Sequence, residues 1–152
     1  MTKSKGKSQY KVRFASEKEL RDELIYVLRS KGHRPVVEIP FLGRSLDVVY
    51  QTGNHSVTVI EVKRLPNHIR RALNQAKIAL LGADNVYVCT PLHNVSDETR
   101  SLFENLGIGL MFICEKNQRV SLKCVFPSRR NGRKQEEYAA LLCGTLAGRL
   151  RS

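Results

Sequence analysis

No apolar run in the 152-residue chain approaches the roughly 18 residues that a membrane-spanning helix requires. The opening MTKSKGKSQYKVRF carries charge but no apolar stretch follows it, so it does not read as a secretory signal. A cytoplasmic protein without membrane contact is therefore expected. Paired cysteines are missing too. Cys89, Cys114, Cys124 and Cys143 include no C-x-x-C spacing and no histidine at ligand distance, which argues against structural zinc. Three of them lie in apolar runs (VYVC, LMFIC, LKCVF), and buried reduced thiols are expected. There is no Walker-type or dinucleotide-type glycine loop, so no nucleotide cofactor is implied. No aromatic stacking motif of the single-strand type stands out. His33, His55, His68 and His93 fall near element ends or turns, with no Cys or Ser nucleophile beside them in a recognisable motif.

Acidic residues are scarce at the two ends. Residues 1–14 hold five cations and no acid, and residues 119–152 hold eight cations against Glu136 and Glu137. The central 15–118 stretch is nearly neutral, so most of the net +12 sits at the ends. Basic ends on a neutral body suggest a polyanionic partner; ordinary solubilising charge is the plainer alternative. Candidate contacts are Lys3, Lys5 and Lys7 in the Lys/Ser/Gly-rich start, Arg44, Arg70 and Arg71, and Arg129, Arg130, Arg133 and Lys134 in a basic loop. Arg70, Arg71 and Lys77 read equally as a solvated helix face. The expected organisation is a basic flexible arm over 1–14 and one domain over 15–152.

With 41% hydrophobic and 26% charged residues, the chain suits one globular core. Ser16-Glu17-Lys18-Glu19 forms a capping box, and Leu20, Leu24, Val27 and Leu28 follow at helical spacing up to Gly32, predicting a helix over about 16–31. Val36–Ile39, ending at Pro40, reads as a strand. Arg44–Gln51 and Ser56–Arg64 flank a turn cluster and read as a hairpin. A second helix is expected from Pro66 to about Leu81, then a buried strand over Asn85–Thr90. A third helix opens at Ser96 and ends at Gly107, strands follow over 108–114 and 120–126, and a last helix spans 135 to about 150. The apolar face of that helix (Tyr138, Leu141, Leu142, Leu146) either covers the sheet or joins two copies. Interleaved strands and helices predict an α/β fold, one mixed sheet flanked by helices.

Three ionisable residues occupy positions where burial is costly. Asp47 interrupts an apolar strand, and Glu61 and Lys63 share one face at the end of another. A three-residue loop, Gly53-Asn54-His55, would pair Thr52 with Ser56 and, five steps back, Asp47 with Glu61. A slip of one residue would put Asp47 on the opposite face. Two facing carboxylates at ~5 Å and an effective dielectric near 20 repel by about 3 kcal/mol. A shared proton, Lys63 or a divalent cation must offset this, and hard oxygen ligands suit Mg²⁺ or Mn²⁺. Glu23 falls in the apolar stripe of the first helix, either as a boundary residue or as a member of the site. The plainer alternative for the strand residues is a structural ion-paired cluster in which Lys63 neutralises both acids.

The arrangement Glu23, then Asp47, then Glu61-Val62-Lys63 resembles the PD-(D/E)xK nuclease superfamily, which includes restriction endonucleases and junction resolvases. The resemblance covers roughly residues 16–90, with Leu46 in place of the motif's Pro. It implies a restriction-endonuclease-like α-β-β-β-α-β core and a Mg²⁺- or Mn²⁺-dependent DNA endonuclease, structure-specific or restriction-type. It also implies metal ligation by Asp47, Glu61 and the Val62 carbonyl, with Lys63 serving the attacking water. Glu23 matches the acid many members carry on the first helix, and Gln75 matches a polar residue some carry on the second. Cutting two strands would favour a homodimer. A nucleic-acid-binding module without its own catalysis, or an RNA nuclease, are the alternatives.

Overall fold

The computed structural model describes residues 14–91 and 93–151. Lys3, Lys5 and Lys7, and with them nearly all of the expected basic arm, lie outside the described residues. Phe14, the last residue of that arm, is buried against the first helix and the sheet.

Helix α1 (Glu17–Ser30) starts as the capping box requires: the Glu19 N–H donates to Ser16 Oγ at 3.1 Å. The Glu19 carboxylate reaches back to accept from the Ala15 N–H at 2.9 Å. The chain leaves the helix through Gly32 at φ +91°, a conformation that glycine adopts without steric cost. Strand β1 (Val36–Phe41) turns through Leu42 and Gly43, both at positive φ, into β2 (Arg44–Gln51). The expectation that β1 stops before Pro40 is corrected. Pro40 pairs with Ser45 inside the strand, which is tolerated because β1 is the edge of the sheet.

The loop from β2 to β3 (Val57–Val62) has three residues, Gly53 to His55, with His55 left-handed at φ +65°. The Asn54 carboxamide oxygen accepts from Thr52 Oγ1 at 2.7 Å and from the Ser56 N–H at 3.3 Å, which holds the turn. The Thr52 N–H donates to the Ser56 carbonyl at 2.8 Å, so the anticipated register holds.

The crossover from β3 to β4 (Asn85–Pro91) departs from expectation. In place of one helix to Leu81 there is a 3₁₀ turn (Pro66–His68), a short α2 (Ile69–Ala76) and a second 3₁₀ segment (Lys77–Leu81). The tighter segment leads into Gly82, whose missing Cβ would lie 2.9 Å from the Tyr138 carbonyl and 3.0 Å from the Phe41 ring. Only glycine lets the backbone come this close. Helix α3 (Asp97–Leu106) is capped by Ser96 and ends at left-handed Gly107, as read from sequence. It is followed by β5 (Gly109–Lys116), β6 (Arg119–Phe126) and α4 (Glu136–Arg151).

The six strands lie in the order β1-β2-β3-β4-β5-β6, with β3, β4 and β5 parallel and the outer pairings antiparallel. Residues 17–91 therefore follow the α-β-β-β-α-β order of a restriction-endonuclease-like core, in one mixed sheet with helices on both faces. Helix α1 covers one face through Leu20, Leu24 and Leu28 against Val48, Ile60 and Val62. Helices α2, α3 and α4 cover the other, where Leu73, Phe103, Leu142 and Leu146 meet Val49, Val59 and Val88. The apolar face of the last helix is thus used on the sheet, with Leu141 left exposed. The four cysteines are free, but of them Cys89 is buried, Cys114 and Cys143 are half-buried, and Cys124 is exposed. It lies on β6, the sheet's outer strand, beside the irregularity in the β5–β6 register, where Lys123 and Cys124 are both exposed. Among the described residues no helix is long and apolar enough to cross a membrane.

Candidate active site

The β2–β3 ladder runs back from the turn to Val48 opposite Ile60, so the next step sets Asp47 opposite Glu61. There the ladder gives way to side chains: Oδ2 of Asp47 accepts the Val62 N–H at 2.8 Å, and the two carboxyl groups hydrogen-bond each other. Glu61 is only 5% exposed and Asp47 is half-buried. Burial, then the charge of Asp47, pushes the Glu61 carboxyl up to about 8. Burial also raises Asp47, although the Val62 N–H opposes the rise. The pair therefore holds a shared proton near neutral pH.

Lys63 follows on the same side of β3 and is half-buried, with its backbone N–H donating to the Cys89 carbonyl at 2.9 Å. Its ammonium lies 3.6 Å from Oε1 of Glu17, at the first turn of α1. Asp47, Glu61 and Lys63 open onto a cleft of about 310 Å³ at the end of the sheet, which Glu17, Arg44, Ser45 and Gln75 also line. Gln75 comes from α2 and Arg44 and Ser45 from the start of β2, so four separate elements converge here.

Of the residues anticipated from sequence, Asp47, Glu61, Lys63, Gln75 and Arg44 are brought together. Glu23 is not. It is half-buried on α1 and does not line the cleft; the helix acid that reaches it is Glu17, six residues or ~9 Å earlier along the axis. Glu17 and Ser45 were missed. Glu17 had a signal, as the first helical residue after the Ser16 cap, but the apolar stripe favoured Glu23.

The basic residues divide. Arg70 pairs with Glu98 at 3.1 Å, and Arg71 is exposed on α2. Arg129 donates to the Glu104 carbonyl at 2.7 Å, at the C-terminal end of α3. Arg130 donates to Ser56 Oγ at 3.0 Å, and Lys134 pairs with buried Asp84. Asp84 also accepts the Val57 N–H at 2.8 Å, so this loop anchors the start of β3, ~13 Å along the strand from Glu61. Arg133 is exposed.

No protein-family model matches the chain. No curated protein matches it either. Among solved structures, a protein of unknown function from Silicibacter pomeroyi matches over 91% of this chain and 88% of its own, at 15% identity and a TM-score of 0.64. That likeness is one of fold. A repair endonuclease from Pyrococcus abyssi matches over 64% of this chain and 46% of its own, at 18% identity and a TM-score of 0.47. EndoMS in its apo form matches over 69% and 49%, at 19% identity and a TM-score of 0.47. The matched region thus spans about half the length of these two proteins.

Proposed function

We propose that this chain is a divalent-metal-dependent DNA endonuclease, with Asp47 and Glu61 as metal ligands and Lys63 serving the attacking water. One observation carries the reading: a buried carboxyl pair, with an ammonium group beside it, faces a polar cleft. Two such carboxylates are stable together only with a proton or a cation between them.

The donor chemistry fits Mg²⁺ or Mn²⁺. Among the described residues no three His, Cys, Asp or Glu side chains gather into a closed cage, so the donor set is a pair of carboxylates. Mg²⁺ commonly takes one or two carboxylates and completes its shell with waters and substrate phosphate. The Val62 carbonyl is the further ligand the motif implies. When bound, the ion supplies Lewis-acid polarisation of a phosphate oxygen and makes water a better nucleophile near neutral pH.

The Val62 N–H fixes the orientation of the Asp47 carboxyl, so that ligand loses little rotamer freedom on meeting the ion. To hold the ion, Glu61 would have to be deprotonated, so proton and metal would compete for this carboxylate. Lys63 orients the water in line with the scissile phosphorus, or stabilises charge growing on the phosphoryl oxygens. Glu17 holds that ammonium at the rim. Arg44, Ser45 and Gln75 meet the flanking phosphate or the water. Attack by the water would form the new P–O bond while the bond to the leaving sugar oxygen breaks, the water's proton passing to solvent and the leaving oxygen taking one from solvent water. A homodimer would bring two such sites to two strands.

The test is cleavage of duplex, single-stranded and four-way-junction DNA, with RNA as a control, in Mg²⁺ or Mn²⁺ and in chelator. The wild type should cut DNA only with the ion, and Asp47→Asn should cut none. A wild type that cuts nothing, or an Asp47→Asn variant that cuts normally, would remove the reading.

A further inference from the structure

Helix α2 has two unlike flanks. Gln75 of α2 and Ile78 of the 3₁₀ segment that continues it form a wall of the cleft, while Arg70 and Asn74 of α2 and Lys77, the first residue of that segment, line a groove of about 290 Å³ against Leu102, Asn105 and Leu106 of α3. Asn105 and Leu106 also border a second hollow of about 470 Å³, walled by Arg129, Arg130 and Arg133. The groove and the hollow therefore adjoin at these two residues of α3. Five cations line them and no carboxylate does; Arg70 is paired with Glu98 and Arg130 with Asp84, each acid lying outside the lining, which leaves Lys77, Arg129 and Arg133.

Part of this surface is preformed. Gly107 stands where a Cβ would lie 3.1 Å from the Arg129 guanidinium nitrogen Nε, so the end of α3 leaves room for that side chain. Its Nη2 donates to the Glu104 carbonyl, and Arg130 is held by Ser56. Lys77 and Arg133 are exposed, with no carboxylate partner among the described residues. Ordered arginines beside free cations favour a run of phosphates over a single anion, because each phosphate meets its own cation.

We infer that the α2–α3 groove binds the second strand of a duplex DNA whose first strand lies in the cleft, with α2 seated in the major groove between them. The cleft half of this inference rests on the nuclease reading; the groove half rests on the acid-free basic lining. A helix with its side chains is ~10–12 Å across, and the major groove of B-DNA is ~12 Å wide. The outer face of α2 presents Arg71 and Asn74, both exposed and polar. The deep, narrow major groove of duplex RNA would not admit the helix, which is why the inferred partner is DNA.

The experiment is fluorescence anisotropy of full-length wild type and the Lys77→Gln/Arg133→Gln double variant, at several salt concentrations in chelator. Probes are duplex DNA, single-stranded DNA and duplex RNA of one sequence. Both substitutions lie on the surface, so unchanged thermal unfolding is expected and is measured alongside. Loss of two phosphate contacts should flatten the log-affinity against log-salt slope on duplex DNA by up to about 1.8. The slopes on single-stranded DNA and duplex RNA should stay as in wild type. Mg²⁺-dependent hydrolysis of a small chromogenic phosphodiester, which cannot reach the groove, should also be unchanged. An unaltered slope on duplex DNA, an equal loss on the single strand, or an equal loss on duplex RNA would each overturn the inference. If the wild type cuts nothing while the duplex slope still falls, the nuclease reading fails and the groove stands. If it cuts but the slope does not change, only the groove fails.

Discussion

The backbone N–H of Val62 donates to Oδ2 of Asp47 at 2.8 Å, so a side chain takes up a strand amide at the point where the β2–β3 ladder ends. The bond turns Asp47 toward Glu61 and gives a buried amide its acceptor. Asparagine keeps an oxygen there and loses the charge; alanine loses both. Asp47→Ala should therefore be less stable than Asp47→Asn by about 1–3 kcal/mol, the cost of an unsatisfied buried amide. Without metal, Asp47→Asn should be at least as stable as wild type, because carboxylate repulsion is gone. Chemical denaturation of the three proteins in chelator checks both statements. Equal stability of the two variants would show that the Val62 contact contributes nothing.

The shared proton makes stability depend on pH. The folded state raises the Glu61 carboxyl from about 4.5 to about 8, and raises Asp47 as well. Between those values the folded chain binds more protons than the unfolded chain, so stability falls as pH rises. The contribution is full below about pH 4.5 and is lost through about pH 8. In chelator, the midpoint of thermal unfolding should drop between pH 5 and 9. Glu61→Gln, which is neutral at every pH, should remove most of that drop. Added Mg²⁺ should restore wild-type stability most at the alkaline end, where no proton competes with it. A midpoint unchanged across this range in chelator would mean that the two carboxyls do not share a proton.

Much of this arrangement was legible in the sequence because local chemistry specified it. The Ser16–Glu19 box began α1, and the three-residue Gly53–His55 loop fixed a register that set Asp47 opposite Glu61. The features that escaped the reading depend on distant parts of the chain. Lys77–Leu81 keeps helical apolar spacing, yet it winds tighter where Gly82 meets Tyr138 of α4. Pro40 sits within a strand because β1 is an edge, and edge status belongs to the whole sheet. Glu17 replaces Glu23 at the cleft for the same kind of reason: an apolar stripe shows which face of α1 is buried, but not which end meets the end of β3. Arg130 and Lys134 read as free cations until the fold brought Asp84 to them.

Asp84 gives a stability prediction away from the cleft. Burial alone would raise its carboxyl, but Lys134, the Val57 N–H and Arg130 outweigh that and hold it below the usual range. It is 3% exposed. A lowered folded-state pKa stabilises above the unfolded value, so this contribution is lost only as pH falls below about 4. Asp84→Ala removes the acceptor of the Val57 N–H and leaves Lys134 without its partner. The expected cost near pH 7 is about 2–4 kcal/mol. Cleavage per folded molecule should survive, since β3 separates Asp84 from Glu61 by most of its length. Urea unfolding together with activity normalised to the folded fraction checks this. A cost below about 0.5 kcal/mol would reduce the basic loop to surface decoration.

Lys63 and Glu17 test the chemistry against a purely structural ion pair. If Lys63 only neutralised buried acids, Lys63→Ala would leave two carboxylates without a counter-charge, and Mg²⁺ should then bind as well or better. If it serves the attacking water, that variant should still bind Mg²⁺ yet lose most of its cleavage, about 10²–10³-fold for one lost electrostatic stabiliser. Metal binding alone does not separate the two ideas; the rate does. Glu17→Gln sharpens the comparison. It frees the ammonium from a contact of 3.6 Å with a half-exposed carboxylate, and such a pair contributes at most ~1 kcal/mol to stability. Under the catalytic reading Lys63 then loses its placement, and cleavage should fall by a smaller factor, about tenfold, with stability nearly unchanged. Under the structural reading cleavage should not respond to Glu17→Gln at all. Calorimetric Mg²⁺ titration and single-turnover cleavage on both variants give the four values needed. Loss of Mg²⁺ binding in Lys63→Ala would assign the lysine to holding the site together and remove it from the reaction.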